Sequence, residues 1–326
     1  VIARSRLIKH YARQWEDEPA RVNLVGHSMG GLIIAGYLER VGRKAPIDKV
    51  VSLGTPFQGS LEAPVKIVTG TGSLGGPQEP ASREREAARL TPALYHLLPS
   101  YRNAIRTSAD DIPGNLYEVD AWQPGVIETL AEFIRLHGLK GRSSQRDRKR
   151  WARDLLADLL QTARTHRRRL NRFRLEQAGL SEDRWLCLIG VDAKTRVQMH
   201  VERSGKDPLF KIQSRDRMNL WAEKDPLKQR LTGDGTVPYR GAEPKFLDRR
   251  KLVCLRPDDF GYWEVRDRAL TSASGFHGML PNLNLAHRLI VSHFMGYARK
   301  GTWGRPAPGI AVEDWRPPIE GLSIGD

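Results

Sequence analysis

The chain has 326 residues, of which 40% are hydrophobic and 28% are charged, and its formal net charge is +15. This length is enough for one large domain with insertions or for two small domains, and the composition is typical of a globular protein. The sequence contains no run of 18 apolar residues, so no membrane-spanning helix is predicted.

The first predicted element is an amphipathic helix over residues 2–15. Its apolar residues recur at helical spacing, namely Leu7, Ile8, Tyr11 and Trp15. The chain begins with Val1 rather than with methionine, and the absence of a visible signal peptide is therefore uninformative.

Residues 26–30 (GHSMG) form a G-x-S-x-G motif between two predicted elements. Residues 22–25 (VNLV) have the character of a strand, and residues 31–40 (GLIIAGYLER) are typical of a buried helix. A nucleophilic serine in this motif sits on a sharp turn from strand to helix, which exposes its hydroxyl group. We therefore predict Ser28 as a nucleophile, and we interpret His27 as a packing residue whose side chain points away from the Ser28 hydroxyl.

The pattern of strands and helices is interrupted after residue 60. A second strand over residues 48–53 leads into the segment GTPFQGS, and this alternation predicts an α/β protein with a mostly parallel sheet and helices on both faces. Residues 61–184 contain few strand signals, and we interpret them as an inserted helical cap. The predicted features of this cap are a Gly-rich loop at 69–76, helices at 87–98 and 126–136, and a long basic helix at 146–177 that ends near Gly179.

Sheet-like sequence resumes at residue 185. Strands are predicted at 185–191, 195–201 and 251–255, followed by a helix at 283–297 and an irregular, proline-rich tail. The predicted organisation is a core in two parts (1–60 and 185–300), the cap (61–184) and the tail (301–326). Cys187 and Cys254 lie in apolar runs, which favours two buried, reduced thiols.

A serine nucleophile needs a base and a carboxylate that orients the base, and in α/β-hydrolases the acid and then the histidine follow the serine along the chain. Asp234 lies in the turn segment GDGTVP, and His277 lies on a Gly-flanked loop before the last helix, so their order fits. Other acids that follow strands are Asp192 and the pair Asp258 and Asp259. The histidines of the last helix, His287 and His293, are interpreted as packing or surface residues. The backbone N–H of Met29 is the predicted oxyanion donor, and no second donor is identified.

These segments together resemble the lecithin:cholesterol acyltransferase family. The similar segments are VGHSMGG at 25–31, SLGTPFQGS at 52–60, LLPS at 97–100 and GDGTVP at 233–238, followed by His277. The resemblance implies an α/β-hydrolase fold and a catalytic triad of Ser28, Asp234 and His277, and it favours Asp234 over Asp192. It also implies acyl transfer from an ester to water or to an alcohol, without a cofactor or metal.

The resemblance also indicates strands before the motif that this chain lacks, since only 27 residues precede Ser28. We therefore expect an N-terminal truncation that leaves the strand before Ser28 at an exposed edge of the sheet. The function that we expect is that of a lipase, esterase or O-acyltransferase on lipid esters. The alternatives are a serine esterase on small non-lipid esters and a catalytically inactive hydrolase-fold protein that binds through its basic cap.

The positive charge is concentrated in one segment. Residues 135–174 contain 14 Lys and Arg against three Asp, which accounts for 11 of the 15 net charges. A solvated helix face is one interpretation, and contact with an anionic membrane surface is the other. Nucleic acid is disfavoured because few aromatic residues are interleaved with the basic ones. We expect a location in the cytoplasm or at the periphery of a membrane.

Overall fold

A computed structural model describes residues 21–71, 82–138, 143–261, 264 and 275–325. The helix predicted at residues 2–15 and most of the predicted Gly-rich loop lie outside these ranges. The strands are β1 (Val22–His27), β2 (Ile47–Leu53), β3 (Ile105–Thr107), β4 (Trp185–Gly190), β5 (Thr195–Arg196), β6 (Met199–Ser204), β7 (Asp207–Lys211), β8 (Arg217–Met218), β9 (Val253–Leu255), β10 (Trp303–Gly304) and β11 (Ser323–Ile324). The α-helices are α1 (Met29–Val41), α2 (Glu62–Thr69), α3 (Ser82–Leu90), α4 (Pro92–His96), α5 (Pro124–His137), α6 (Gln145–Arg172), α7 (Pro226–Gln229), α8 (Tyr239–Ala242) and α9 (Asn284–Met295).

The central sheet is parallel throughout the described residues. Its strand order is β1-β2-β4-β9, and each neighbouring pair runs in the same direction. Strand β1 lies at one edge of the described sheet, where Val25 is 51% exposed. The predicted α/β-hydrolase fold with a mostly parallel sheet is confirmed, and all four strands direct their carboxyl ends to the same edge.

Successive side chains of the sheet pack on opposite faces, as the period of two in a strand requires. On one face, Val50 and Cys187 lie in an apolar cluster with Leu32 and Leu38 of α1. On the other face, residues such as Val51 and Leu188 pack with Leu285 and Leu289 of α9. The helix that follows Ser28 is therefore held against one face of the sheet by its own apolar residues.

A third apolar cluster holds the predicted cap together. It joins α2, α5 and α6 through buried residues such as Ile67, Leu130 and Leu156. Met199 and Phe210 of the β6–β7 hairpin belong to the same cluster, although they follow residue 184 in the sequence. The domain boundaries stay a prediction, and the hairpin packs with the helical segment.

Several element boundaries differ from those predicted. The helix predicted at 87–98 is two helices, α3 and α4, because Pro92 begins a new helix and the residue before a proline disfavours helical geometry. The strand predicted at 195–201 is also two strands, since β5 pairs with β8 while β6 pairs with β3 and β7. The basic helix ends at Arg172, where Phe173 turns to extended geometry and buries its ring.

Two simpler expectations concern the cysteines and the membrane. Cys187 and Cys254 are buried and free, as predicted. None of the helices in the described ranges is long and apolar enough to cross a membrane.

Candidate active site

Ser28 lies at the edge of the sheet where the parallel strands end. It follows the last residue of β1, and its backbone angles are φ 53° and ψ −125°. Its N–H donates to the carbonyl oxygen of Leu53 at the end of β2, at 2.9 Å. A serine at positive φ is strained, and strain of this kind is a recognised property of functional sites. The predicted sharp turn is therefore present, held by the neighbouring strand.

Two hydrogen bonds connect Ser28, His277 and Asp234. The Nε2 atom of His277 lies 2.9 Å from the Oγ atom of Ser28, and its Nδ1 atom lies 2.7 Å from Oδ2 of Asp234. The side chain of His277 is 12% exposed and that of Asp234 is 1% exposed. With the proton on Nδ1, the imidazole donates to the carboxylate and accepts from the serine hydroxyl.

The electrostatics of His277 are dominated by its burial and by Asp234. Burial lowers the pKa of His277, but the charge of Asp234 and the hydrogen bond to it together outweigh burial. The pKa of His277 is therefore raised above its ordinary value of 6.5.

Asp234 reaches the site through a long excursion of the chain. After β4 the chain runs through β5 to β8 and returns, so that the N–H of Ala193 donates to the carbonyl oxygen of Gly233 at 3.0 Å. The second carboxylate oxygen of Asp234 accepts from the backbone N–H groups of Thr236 at 3.0 Å and Val237 at 2.7 Å. The carboxylate is thus fixed by its own turn, with Oδ2 left for the imidazole.

The alternative acids contact other partners. Asp192 lies two residues after β4 at φ 62°. Its carboxylate accepts from Arg256 at 2.8 Å and from Asn219 at 2.9 Å. Asp259 accepts from the buried Arg305 at 2.8 Å, and Asp258 lies 3.5 Å from Arg256. These three carboxylates are engaged with cations, whereas Asp234 is the one that contacts His277.

The other histidines considered in the sequence, His27, His287 and His293, contact backbone carbonyl groups. His27 donates from Nε2 to the backbone carbonyl oxygen of His277 at 2.9 Å, and burial is the largest cause of its lowered pKa. His287 is exposed and contacts the carbonyl oxygen of Pro281, while His293 is buried in α9. His27 therefore supports the backbone that carries His277, rather than contacting Ser28.

Gly54 is a site residue that the sequence pattern did not single out. It follows β2 at φ 52°, and a Cβ atom at this position would lie 2.9 Å from Oδ2 of Asp234 and 3.1 Å from Nδ1 of His277. Any side chain here would intrude on the hydrogen bond between these two groups. The sequence feature that could have indicated Gly54 is its position directly after a predicted strand, at the start of the segment GTPFQGS.

An apolar cavity of about 920 Å³ borders the start of α1. Met29, the predicted oxyanion donor, is the first residue of α1, where the N–H groups have no partner within the helix. Met29 also lines the cavity together with Leu32 and Tyr37, and α4 and α6 contribute the opposite wall through residues such as Ala93 and His166. The cavity thus lies between α1 on one side and α4 and α6 on the other. Among the described residues, no group of three or more His, Cys, Asp or Glu could hold a metal ion.

The parallel sheet, the strained serine after β1 and the hydrogen-bonded histidine and aspartate define the α/β-hydrolase class. The sequence model of the lecithin:cholesterol acyltransferase family matches residues 6–245. The chain belongs to this family.

Among the solved structures similar to this chain is the crystal structure of the Tle4-Tli4 complex. It is 15% identical with a TM-score of 0.48, and the match covers 72% of this chain and 53% of that one. The chain therefore spans about half the length of that protein. No curated protein matches the chain.

Proposed function

We propose that this protein is a serine-dependent lipase, esterase or O-acyltransferase that acts on lipid esters through an acyl-enzyme on Ser28. The observation that carries the proposal is the pair of hydrogen bonds, 2.9 Å and 2.7 Å long, from Ser28 through His277 to Asp234. Membership of the lecithin:cholesterol acyltransferase family supports a lipid ester as the acyl donor.

In the first half of the reaction, Nε2 of His277 takes the proton of the Ser28 hydroxyl as its oxygen attacks the ester carbonyl carbon. The carbonyl oxygen becomes an oxyanion, and the N–H of Met29 is the proposed donor to it. Collapse of the tetrahedral intermediate breaks the bond to the leaving alcohol, which receives the proton from His277. The acyl group is then bound to Oγ of Ser28.

In the second half, water or an acceptor alcohol gives its proton to His277 and attacks the acyl-enzyme. Water as the acceptor gives hydrolysis, and an alcohol gives O-acyl transfer. Asp234 stays ionised throughout: it fixes the tautomer of His277 and stabilises the imidazolium that forms in each half. No cofactor or metal takes part in these steps.

Labelling with a fluorophosphonate probe, followed by intact-mass measurement, tests the serine chemistry. We expect a single adduct on the unmodified chain and none on Ser28→Ala. Ser181→Ala is the matched control, because Ser181 is exposed and lies before β4, outside the site. No adduct on a folded chain would contradict the proposal and would favour an inactive hydrolase-fold protein that binds through its basic cap.

The acyl chain of the substrate is proposed to lie in the cavity beside α1. Met29, the residue after Ser28, lines the cavity, and Leu32 and Tyr37 contribute to its apolar lining. Ala93→Trp would place a large side chain in the cavity wall opposite α1. We expect this variant to lose kcat/KM on long-chain p-nitrophenyl esters and to retain it on the acetate. Equal loss on both esters, or preference of the unmodified chain for the acetate, would favour a small-ester esterase.

The basic segment 135–174 is proposed to contact an anionic membrane surface while the core acts on lipid. Arg146, Arg168 and Arg172 of α6 are exposed, and within the described ranges none of them forms an ion pair with a carboxylate. Such unpaired cations are attracted to anionic headgroups.

A further inference from the structure

A second cavity, of about 1070 Å³, lies where the end of α6, the GTPFQGS segment and α8 meet. It is separate from the apolar cavity beside α1, since the two share no lining residue. Six cationic side chains line it, namely Arg102, Arg174, Arg230, Arg240, Lys245 and Arg249. The carboxylate in the same lining is that of Glu243.

Most of these cations have no anionic partner. Arg249 is paired with Glu243 at 2.6 Å. In the part of the chain that the structure describes, the other five lie beyond 4 Å of any carboxylate oxygen. The mutual repulsion of cations around one cavity destabilises the fold. This repulsion is relieved when an anion binds.

The floor of the cavity is held in place by neutral polar side chains. Gln58 is 5% exposed, and its Nε2 donates to Oδ1 of Asn171 at 3.0 Å. Ser100 donates to the Oε1 of Gln58 at 3.2 Å. These contacts join the core segment, the end of α6 and the loop after α4 on one side of the cavity.

We infer that this cavity binds the phosphate group of a ligand. Guanidinium groups present paired N–H donors that match phosphate oxygens, and bonds between charged groups are the strongest hydrogen bonds in proteins. Arg230 and Arg240 are half-buried, so a bound phosphate would be partly shielded from water. The phosphate can belong to a phospholipid headgroup or to a soluble phosphate, and the chemistry of the cavity is the same for both.

The inference is independent of the serine chemistry. No cavity residue takes part in the hydrogen bonds among Ser28, His277 and Asp234. Phosphate binding can therefore be measured without turnover, and the outcome of serine labelling does not decide it.

Isothermal titration calorimetry with inorganic phosphate, at low and at high salt, tests the inference on the whole chain. We expect the double variant Arg230→Gln/Arg240→Gln to lose about tenfold or more in affinity, because two charge-assisted contacts are removed. The matched control is Arg106→Gln/Arg215→Gln, which removes the same charge from exposed positions outside the cavity and outside α6. We expect this control to bind as the unmodified chain does. Circular dichroism checks that each variant is folded. Lys245→Gln, at an exposed position, is a milder second variant, and we expect it to lose about threefold in phosphate affinity.

A second titration identifies the source of the phosphate. The ligand is dihexanoyl phosphatidic acid, used below its critical micelle concentration. If it binds more tightly than inorganic phosphate and depends on the same arginines, the phosphate belongs to a lipid headgroup. Equal or weaker binding assigns a soluble phosphate. Absence of binding to the unmodified chain would overturn the inference. Equal losses in the cavity variant and in the control would also overturn it, because only the general positive charge of the protein would then explain the binding.

Discussion

Asp234 and Asp192 both lie near the carboxyl end of β4, and their partners distinguish them. Asp234 accepts from His277 at 2.7 Å, whereas Asp192 is engaged with Arg256 and Asn219. We expect Asp234→Asn to lower kcat by about 10⁴-fold, because the amide fixes the wrong tautomer of the imidazole. Asp192→Asn is the control and should change kcat by less than about tenfold. Ester hydrolysis by both variants decides the point, and a larger loss in Asp192→Asn would reverse the assignment.

The pH dependence of the reaction follows from the raised pKa of His277. The histidine must be neutral to accept the serine proton, so activity is present above its pKa and is lost as the pH falls through it. Because Asp234 raises this pKa, we expect the acidic limb of kcat/KM to have its midpoint above 6.5. In Asp234→Asn the charge is absent and burial dominates, so the midpoint should move to lower pH. A midpoint that moves upward would show that another group controls the limb.

Gly54 limits the space beside the histidine and aspartate. Its φ of 52° disfavours any other residue, and a Cβ atom would lie 2.9 Å from Oδ2 of Asp234. We expect Gly54→Ala to lower kcat by about 10²-fold, as displacement of a catalytic group commonly does, and to destabilise the fold by about 1–3 kcal/mol. Gly114→Ala is the control, since a Cβ atom there meets nothing within 4 Å. Assays and thermal unfolding of both variants test this, and an active Gly54→Ala would contradict it.

At the scale of elements, α1 depends on a close approach at one glycine of its first turn. A Cβ atom on Gly31 would lie 2.1 Å from Oγ1 of Thr55, whereas one on Gly30 meets nothing within 4 Å. We expect Gly31→Ala to destabilise the protein by about 1–3 kcal/mol through overpacking. Gly30→Ala should be neutral or stabilising by up to about 1 kcal/mol, because alanine favours a helix. Urea unfolding of the two neighbouring variants makes the comparison, and equal stabilities would show that α1 shifts freely against Thr55.

The elements with strong local signals could be predicted from the sequence, and the contacts that depend on the path of the chain could not. The strand and helix around Ser28 follow from their apolar runs and from the glycines of the turn. The division of residues 195–201 into two strands could not be predicted from the sequence, because β5 and β6 pair with strands in different sheets. The position of Asp234 beside β4 likewise depends on where the excursion through β8 returns. Here the family resemblance, rather than periodicity, favoured Asp234 over Asp192.

At the scale of the whole molecule, the net charge of +15 is concentrated near one helix. Arg146, Arg168 and Arg172 lie within about a quarter of the circumference of α6, given 100° per residue. The buried side of the same helix carries Leu156 and Leu160 into the cap cluster. The buried residues of α6 therefore stabilise the helical cluster, and in the described part of the chain the three arginines present cations without a carboxylate partner to solvent.

This arrangement predicts salt-dependent binding to anionic membranes. We expect the triple variant Arg146→Gln/Arg168→Gln/Arg172→Gln to lose about 1 kcal/mol of binding free energy for each cation removed. The charge-matched control is Arg106→Gln/Lys206→Gln/Arg215→Gln, which changes exposed positions outside α6. The binding of both variants is measured by sedimentation with phosphatidylcholine vesicles, prepared with and without phosphatidylserine. Because exposed charges are screened within about 10 Å at 0.1 M salt, binding should weaken steeply as salt is added. Binding that is insensitive to salt, or equal losses in the two variants, would mean that the exposed side of α6 is a solvated helix face.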